Sequence, residues 1–163
     1  MDGCTLLDAR CGTGNYLIEA LNKGASFVTG FESSLSLILE ARQRLNHGAN
    51  KGRYVLLQEE VGDIIVFEHD YAVAIDIMEH TDQPLEVLKR LYNAVQISAF
   101  VSFPVKYRLS SLIRRVLHYF SPCIFNTFSR KEIIEMGYSA GFREIKILDV
   151  QHPGIDYLAV FRK

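Results

Sequence analysis

The sequence predicts an α/β protein built on a mostly parallel sheet, and three observations carry that expectation. Extended and helical patterns alternate from one end of the chain to the other, as successive βα units do. An apolar run, Leu6-Leu7-Asp8, passes into a turn with glycines at positions 12 and 14 and then directly into a helix. Such a turn lets backbone N–H groups meet a polar ligand with no side chain between them. At 163 residues with 48 % hydrophobic and 11 % aromatic content, the chain is long enough for one well-formed core and too short for two ordinary domains. Residues 1–163 are therefore expected to form one unit.

Taken in order, strand one is expected over roughly 4–9 and the first helix over about 13–23, with Leu17, Ile18 and Leu21 on one face and Gly24 as its stop. Ser26 to Phe31 reads as strand two and ends at Glu32, 24 positions after Asp8. That is near the offset at which an acid at the end of strand two receives ribose hydroxyls. The plainer alternative for Glu32 is a solvent-exposed strand-end acid or a cap for the next helix. Ser33 or Ser34 is placed to cap a helix over about 35–46, where Leu35, Ile38, Ala41 and Leu45 form a core-facing stripe. Residues 46–52 are loop by composition, and Arg53 to Leu57 is strand three, followed by the carboxylates Glu59, Glu60 and Asp63.

Tyr71 to Asp76 reads as strand four, and Asp82 and Pro84 supply start signals for a helix carrying Leu85, Leu88, Leu91 and Val95. Ile97 to Phe103 is a continuous apolar strand five. Further on, Ser129 and Glu132 fit a capping box, with Phe128 and Ile133 as its hydrophobic staple. The helix they open is expected to stop near Gly141, and 142–150 and 157–161 read as two final strands.

The net charge of −1 conceals a division along the chain: residues 104–131 hold six basic side chains and no Asp or Glu, so the remainder stands at −7. Within that segment Leu112, Ile113, Val116, Leu117 and Phe120 predict an amphipathic helix whose other side bears Arg114, Arg115 and His118. Residues 104–128 are expected to form an inserted basic and aromatic lid, with Tyr107, Arg114, Arg115, His118 and Tyr119 facing its ligand. This composition suits a flat or lipid-like anionic molecule, or a peripheral contact with an anionic membrane surface. Stacking on nucleic acid ranks behind both, and the plain reading is a cover helix with a solvated cationic face. No apolar run reaches 18 residues and no charged-then-apolar leader is present, so a soluble cytoplasmic protein is expected. Cys4, Cys11 and Cys123 lack ligand spacing, which predicts reduced thiols, no disulfide framework and no metal site.

Asp8, Gly12 and Gly14, with Arg10 at the position of the first glycine, resemble the D-x-G-x-G-x-G motif of the class I S-adenosylmethionine-dependent methyltransferases. Some 70 residues later, Ile75-Asp76-Ile77-Met78-Glu79-His80 is similar to the segment that ends that family's strand four, with Ala72 where the family has aspartate. The resemblance runs from strand one to strand seven and implies a Rossmann-like methyltransferase fold: a seven-stranded, mostly parallel sheet with an antiparallel last strand and helices on both faces. It also implies S-adenosylmethionine as cofactor. Its binding residues would be Asp8, Arg10, Cys11, Gly12, Thr13 and Gly14 in the turn, Glu32 and Ser33 after strand two, and Asp76, Ile77 and Met78 after strand four. An acid after strand three would read the adenine, either Glu60 with Val61 or Asp63. The one or two helices that the family carries before strand one have no counterpart in this sequence, so a more open pocket or a truncated product is expected.

Methyl transfer from a sulfonium is an in-line displacement in which positioning alone supplies on the order of 7–11 kcal/mol. A hydroxyl acceptor needs a proton acceptor too, and His80, just beyond strand four, is the candidate. Its plain alternative is a histidine bonded to local backbone. The acceptor atom is expected to be oxygen or nitrogen of a small molecule, anionic or lipid-like. A different class of answer is a degenerate member that binds cofactor weakly or not at all and serves as an interaction module. Arg10 raises that alternative: a side chain there is expected to force φ above zero, to aim a guanidinium at the sulfonium, or to turn outward and pair with Glu79 or an anionic substrate.

Overall fold

A computed structural model of the chain describes residues 2–46, 50–59, 68–105, 126–152 and 155–163. Strand β1 (Thr5–Asp8) leads through the glycine turn into α1 (Asn15–Asn22), then β2 (Phe27–Phe31), α2 (Leu35–Leu45) and β3 (Tyr54–Leu57). After β3 come β4 (His69–Ala74), α3 (Pro84–Ala94), β5 (Val95–Phe103), α4 (Arg130–Ala140), β6 (Glu144–His152) and β7 (Ile155–Arg162). These strands form one seven-stranded sheet in the order β3-β2-β1-β4-β5-β7-β6. The pairs from β3 to β5 are parallel, while β7 runs antiparallel to both β5 and β6. The last strand is thus inserted between β5 and β6, and β6 takes the edge.

Alternation along β1 divides the core. Leu6 faces one side and packs with Leu17, Leu21, Val28 and Leu45 under α1 and α2. Leu7 faces the other and joins Ala72, Leu88, Leu91, Phe103 and Ile133 under α3 and α4. Parallel strands buried on both faces need cover on both, and the two helix pairs provide it. Each large side chain removed from water in these cores contributes about 1.5–3 kcal/mol. Gly30 is required by packing: a Cβ there would lie 2.7 Å from both Cys11 Sγ and Leu17 Cδ1, so only glycine lets the turn and α1 sit on β2.

Strand four starts and ends two residues earlier than the 71–76 read from the sequence. At its start, the His69 ring lies 2.9 Å from the Thr29 hydroxyl, and the ladder to β5 shifts register between His69 and Tyr71. At its end, Asp76 turns into the left-handed region at φ 56° and leaves the strand. The Ser34 N-cap is also corrected: it holds the position, but its hydroxyl meets Ser36 Oγ at 2.9 Å and caps nothing. The capping box at the start of α4 forms as the sequence predicts, with Ser129 and Glu132 bonded in both directions. The expected lid residues Tyr107, Arg114, Arg115, His118 and Tyr119 lie outside the described residues. Among the described residues no helix is long and apolar enough to cross a membrane.

Candidate functional site

Strand β1 has parallel neighbours on both sides, so the connections leave it in opposite directions and open a crevice at the C-terminal strand ends. The glycine turn lies across that crevice. Ala9 N–H donates to the Val73 carbonyl at 2.9 Å and Cys11 N–H to the Phe31 carbonyl at 2.8 Å, which hangs the turn between β4 and β2. Gly12 at φ 52° and Gly14 at φ 81° adopt a conformation that side-chain-bearing residues reach only with strain. A Cβ at Gly12 would meet no atom within 4 Å, whereas one at Gly14 would touch Ala41. The first glycine therefore faces open space, and the second lets α1 start against α2. Arg44 fastens Thr13 by donating to its carbonyl at 2.8 Å and its hydroxyl at 2.7 Å.

Glu32, at the end of β2, is the joint of this arrangement. One carboxylate oxygen accepts from Gly12 N–H at 3.1 Å and the other from Ser34 N–H at 2.9 Å, so the same side chain braces the glycine turn and the start of α2. The plain reading of Glu32 as a helix-terminal acceptor therefore describes part of its role. It is 5 % exposed and still forms part of the cavity wall.

Asp8 is 1 % exposed; Oδ1 accepts from Arg10 N–H at 3.2 Å and Oδ2 has no partner. Burial pushes its carboxyl up to about 7, against the Arg10 N–H that pulls down, with the Glu32 charge adding to the rise. Burial likewise pushes the Cys11 thiol up to about 12, reinforced by Asp8 and Glu32. Cys11 is thus a protonated, buried packing residue.

Two expectations for Arg10 are corrected here. Among the non-glycine residues described only Asp76 has positive φ, so Arg10 is not forced into a glycine conformation. Its guanidinium does not pair with Glu79; Nη1 donates to the Asp76 carbonyl at 2.5 Å, and Glu79 Oε1 lies 3.1 Å from His80 Nε2 instead. The peptide N–H of Asp76 in turn donates to Ser102 Oγ at 2.9 Å. Arg10, Asp76 and Ser102 thereby tie the ends of β1, β4 and β5 together.

A cavity of about 390 Å³ opens beside these groups. Arg10, Glu32, Ser33, Ile77 and His80 line it, so five of the residues picked from the sequence converge there. Met78 does not: it is fully buried in the core under α3, because the turn after β4 sends its side chain inward. Asp8, Cys11, Thr13, Gly14 and Asp76 likewise form the frame behind the cavity rather than its lining. Glu60, Val61 and Asp63 lie outside the described residues. Glu59, not singled out from the sequence, lines the cavity with Oε2 buried and without a partner among the described residues. Its signal was its place two residues after β3. Asp82, Glu86 and Arg90, at and within α3, also line it unforeseen, since side chains flanking a helix's buried stripe give no sign of a cavity beside them.

The family model for the methyltransferase domain matches residues 7–101. A tRNA U34 carboxymethyltransferase from Campylobacter curvus is 27 % identical over 96 residues, covering 58 % of this chain; the chain spans about a third, 32 %, of that relative's length. In fold, the chain is similar to magnesium protoporphyrin IX methyltransferase from Synechocystis PCC 6803, solved with bound S-adenosylhomocysteine. The TM-score is 0.79 at 17 % identity, covering 99 % of this chain and 75 % of that one. An S-adenosylmethionine-dependent methyltransferase from Mesorhizobium loti is similar with a TM-score of 0.76 at 13 % identity, covering 99 % of this chain and 92 % of that one.

Proposed function

This chain belongs to the methyltransferase domain family, and on that premise we propose that it moves a methyl group from S-adenosylmethionine to oxygen or nitrogen of a small acceptor. The observation that carries the reading is the charge and hydrogen-bonding demand of the cavity. Among the described residues, Glu32, Glu59, Asp82 and Glu86 oppose only Arg10 and Arg90 in its lining, and Glu59 Oε2 is a buried acceptor without a donor. A wall with an excess of carboxylates suits a ligand of net positive charge, as S-adenosylmethionine is, with its sulfonium, ammonium and single carboxylate.

In this reading Glu32 receives the ribose hydroxyls with the oxygen lone pairs left over from Gly12 and Ser34. Glu59 takes the adenine amino group, ahead of its neighbours Glu60, Val61 and Asp63. Ser33 and Ile77 flank the base, and the open side of Gly12 lets the ligand approach backbone. The cofactor, when bound, supplies an electrophilic methyl group on sulfur. The chain's residues orient it, and His80, 47 % exposed at the cavity wall beside Glu79, takes the acceptor's proton.

Calorimetric titration with S-adenosylhomocysteine tests the reading. One-to-one binding that is lost in Glu59→Ala and Glu32→Ala supports it; no binding by the parent chain overturns it. The basic composition of 104–131 supports an anionic or lipid-like acceptor. A second reading, an RNA acceptor, draws on the match to a tRNA-modifying relative. Filter binding of tRNA at rising salt, set against co-sedimentation with anionic vesicles, separates the two.

A further inference from the structure

Asn126 spends all its donors on one short stretch of backbone. Its peptide N–H donates to the Glu79 carbonyl at 2.9 Å. Its side-chain Nδ2 donates to the Thr81 carbonyl at 2.5 Å and to the Met78 carbonyl at 3.3 Å. Two carbonyl oxygens face the end of this side chain, which fixes the amide NH2 rather than the amide oxygen toward them. Asn126 thus engages three of the four carbonyls from Met78 to Thr81, and a bond from His80 N–H to the Ile77 carbonyl at 3.0 Å closes the turn internally.

The anchor is itself held in place through its neighbour Phe128. Two residues on, Phe128 donates its N–H to the Pro104 carbonyl at 2.9 Å and forms a parallel bridge with Val105. Its ring stands edge-on to Phe103 at 5.2 Å in the core. The turn that Asn126 holds supplies Ile77, His80 and Thr81 to the cavity wall. That wall is therefore braced from outside, by a residue two positions before the Phe128 bridge to the chain just past β5.

We propose that Asn126 is a positioning residue for this cavity, setting Ile77, His80 and Thr81 against the wall made by Arg10 and Glu32. The chemistry is specific to asparagine. Aspartate would press a carboxylate against two carbonyls, serine offers one donor on a shorter arm, and alanine offers none. The proposal rests on the cofactor reading above only for its affinity measurement.

The test uses the full chain, with Asn126→Ala, Asn126→Asp and Asn126→Ser compared by S-adenosylhomocysteine calorimetry and by the ring ¹⁵N resonances of His80. The Ala and Asp variants are expected to bind about fivefold to tenfold more weakly, the worth of one lost hydrogen bond or a little more. They should displace the His80 signals while keeping the far-ultraviolet dichroism of the parent. Asn126→Ser should fall between them and the parent, and it carries the comparison if Ala does not fold. Parent-like affinity and unmoved His80 signals, with only the melting temperature lowered, would reduce Asn126 to general scaffolding and overturn the proposal. Should the parent chain fail to bind S-adenosylhomocysteine, the proposed function falls, and the His80 signals decide this inference alone: displaced, they support it; unmoved, they overturn it.

Discussion

The Arg10 guanidinium donates to the backbone carbonyl of Asp76 across the crevice at 2.5 Å, joining the turn after β1 to the turn after β4. An arginine strained at a glycine position would be relieved by glycine. An arginine that bridges two turns at ordinary φ is instead a small net stabiliser. Arg10→Gly is therefore expected to lower unfolding free energy by about 0.5–1.5 kcal/mol. Urea denaturation checks this, and a gain in stability would show that strain at Arg10 outweighs the bridge.

Glu32 accepts with both oxygens from backbone N–H groups on two different elements. In Glu32→Gln one oxygen becomes an NH2, which must face either Gly12 N–H or Ser34 N–H and leave that part-buried donor without an acceptor. The expected cost is about 1.5–3 kcal/mol in stability, with S-adenosylhomocysteine affinity falling alongside. A variant with parent stability would mean that the glycine turn does not depend on this brace.

The buried Asp8 carboxyl, pushed up to about 7 from 3.8, reverses the usual acid dependence. Between those values the folded chain holds a proton that the unfolded chain has released, so the Asp8 contribution to stability declines as pH rises from about 4 to about 7. The parent should gain stability relative to Asp8→Asn as pH is lowered through that window. Paired thermal melts at pH 5 and pH 7.5 measure the difference, and parallel changes in both proteins would contradict it.

Gly30→Ala tests the packing beneath the turn. The added methyl group would enter 2.7 Å from Cys11 Sγ and Leu17 Cδ1, both in the buried layer under α1. Overpacking of this kind costs about 1–3 kcal/mol, and relief requires Cys11, and with it Gly12, to move. Loss of stability should be accompanied by weaker S-adenosylhomocysteine binding. Chemical denaturation together with calorimetry distinguishes this from a purely local fault.

The frame of the site was legible in the sequence because local rules specify it. The apolar strand, the glycines at 12 and 14 and the acid ending β2 are short-range patterns, and the structure keeps all of them in place. The Ser129 capping box was legible for the same reason, being completed within four residues. What escaped depends on contacts between distant segments. Asp76 ends an apolar run that reads as strand from Tyr71, and bonds with Arg10 and Ser102, 66 and 26 residues away, fix it in the turn beyond. Met78 was taken for a site residue by its neighbourhood, although the turn after β4 aims it into the core. Asn126 carries no local signature, since it acquires its importance from carbonyls that reach it across the fold.

The insertion of β7 between β5 and β6 sets a schedule for the nascent chain. The strands that frame the crevice, β3, β2, β1 and β4, are mutual neighbours and can pair as they leave the ribosome. Strand β5, by contrast, has its second partner in Ile155–Arg162, more than fifty residues downstream, where Phe100 meets Val160 and Val101 meets Ala159. Until that strand arrives, an apolar edge stands open to any other extended chain. Slow or interrupted synthesis after β5 should therefore send this protein into aggregates, with the glycine turn already formed inside them.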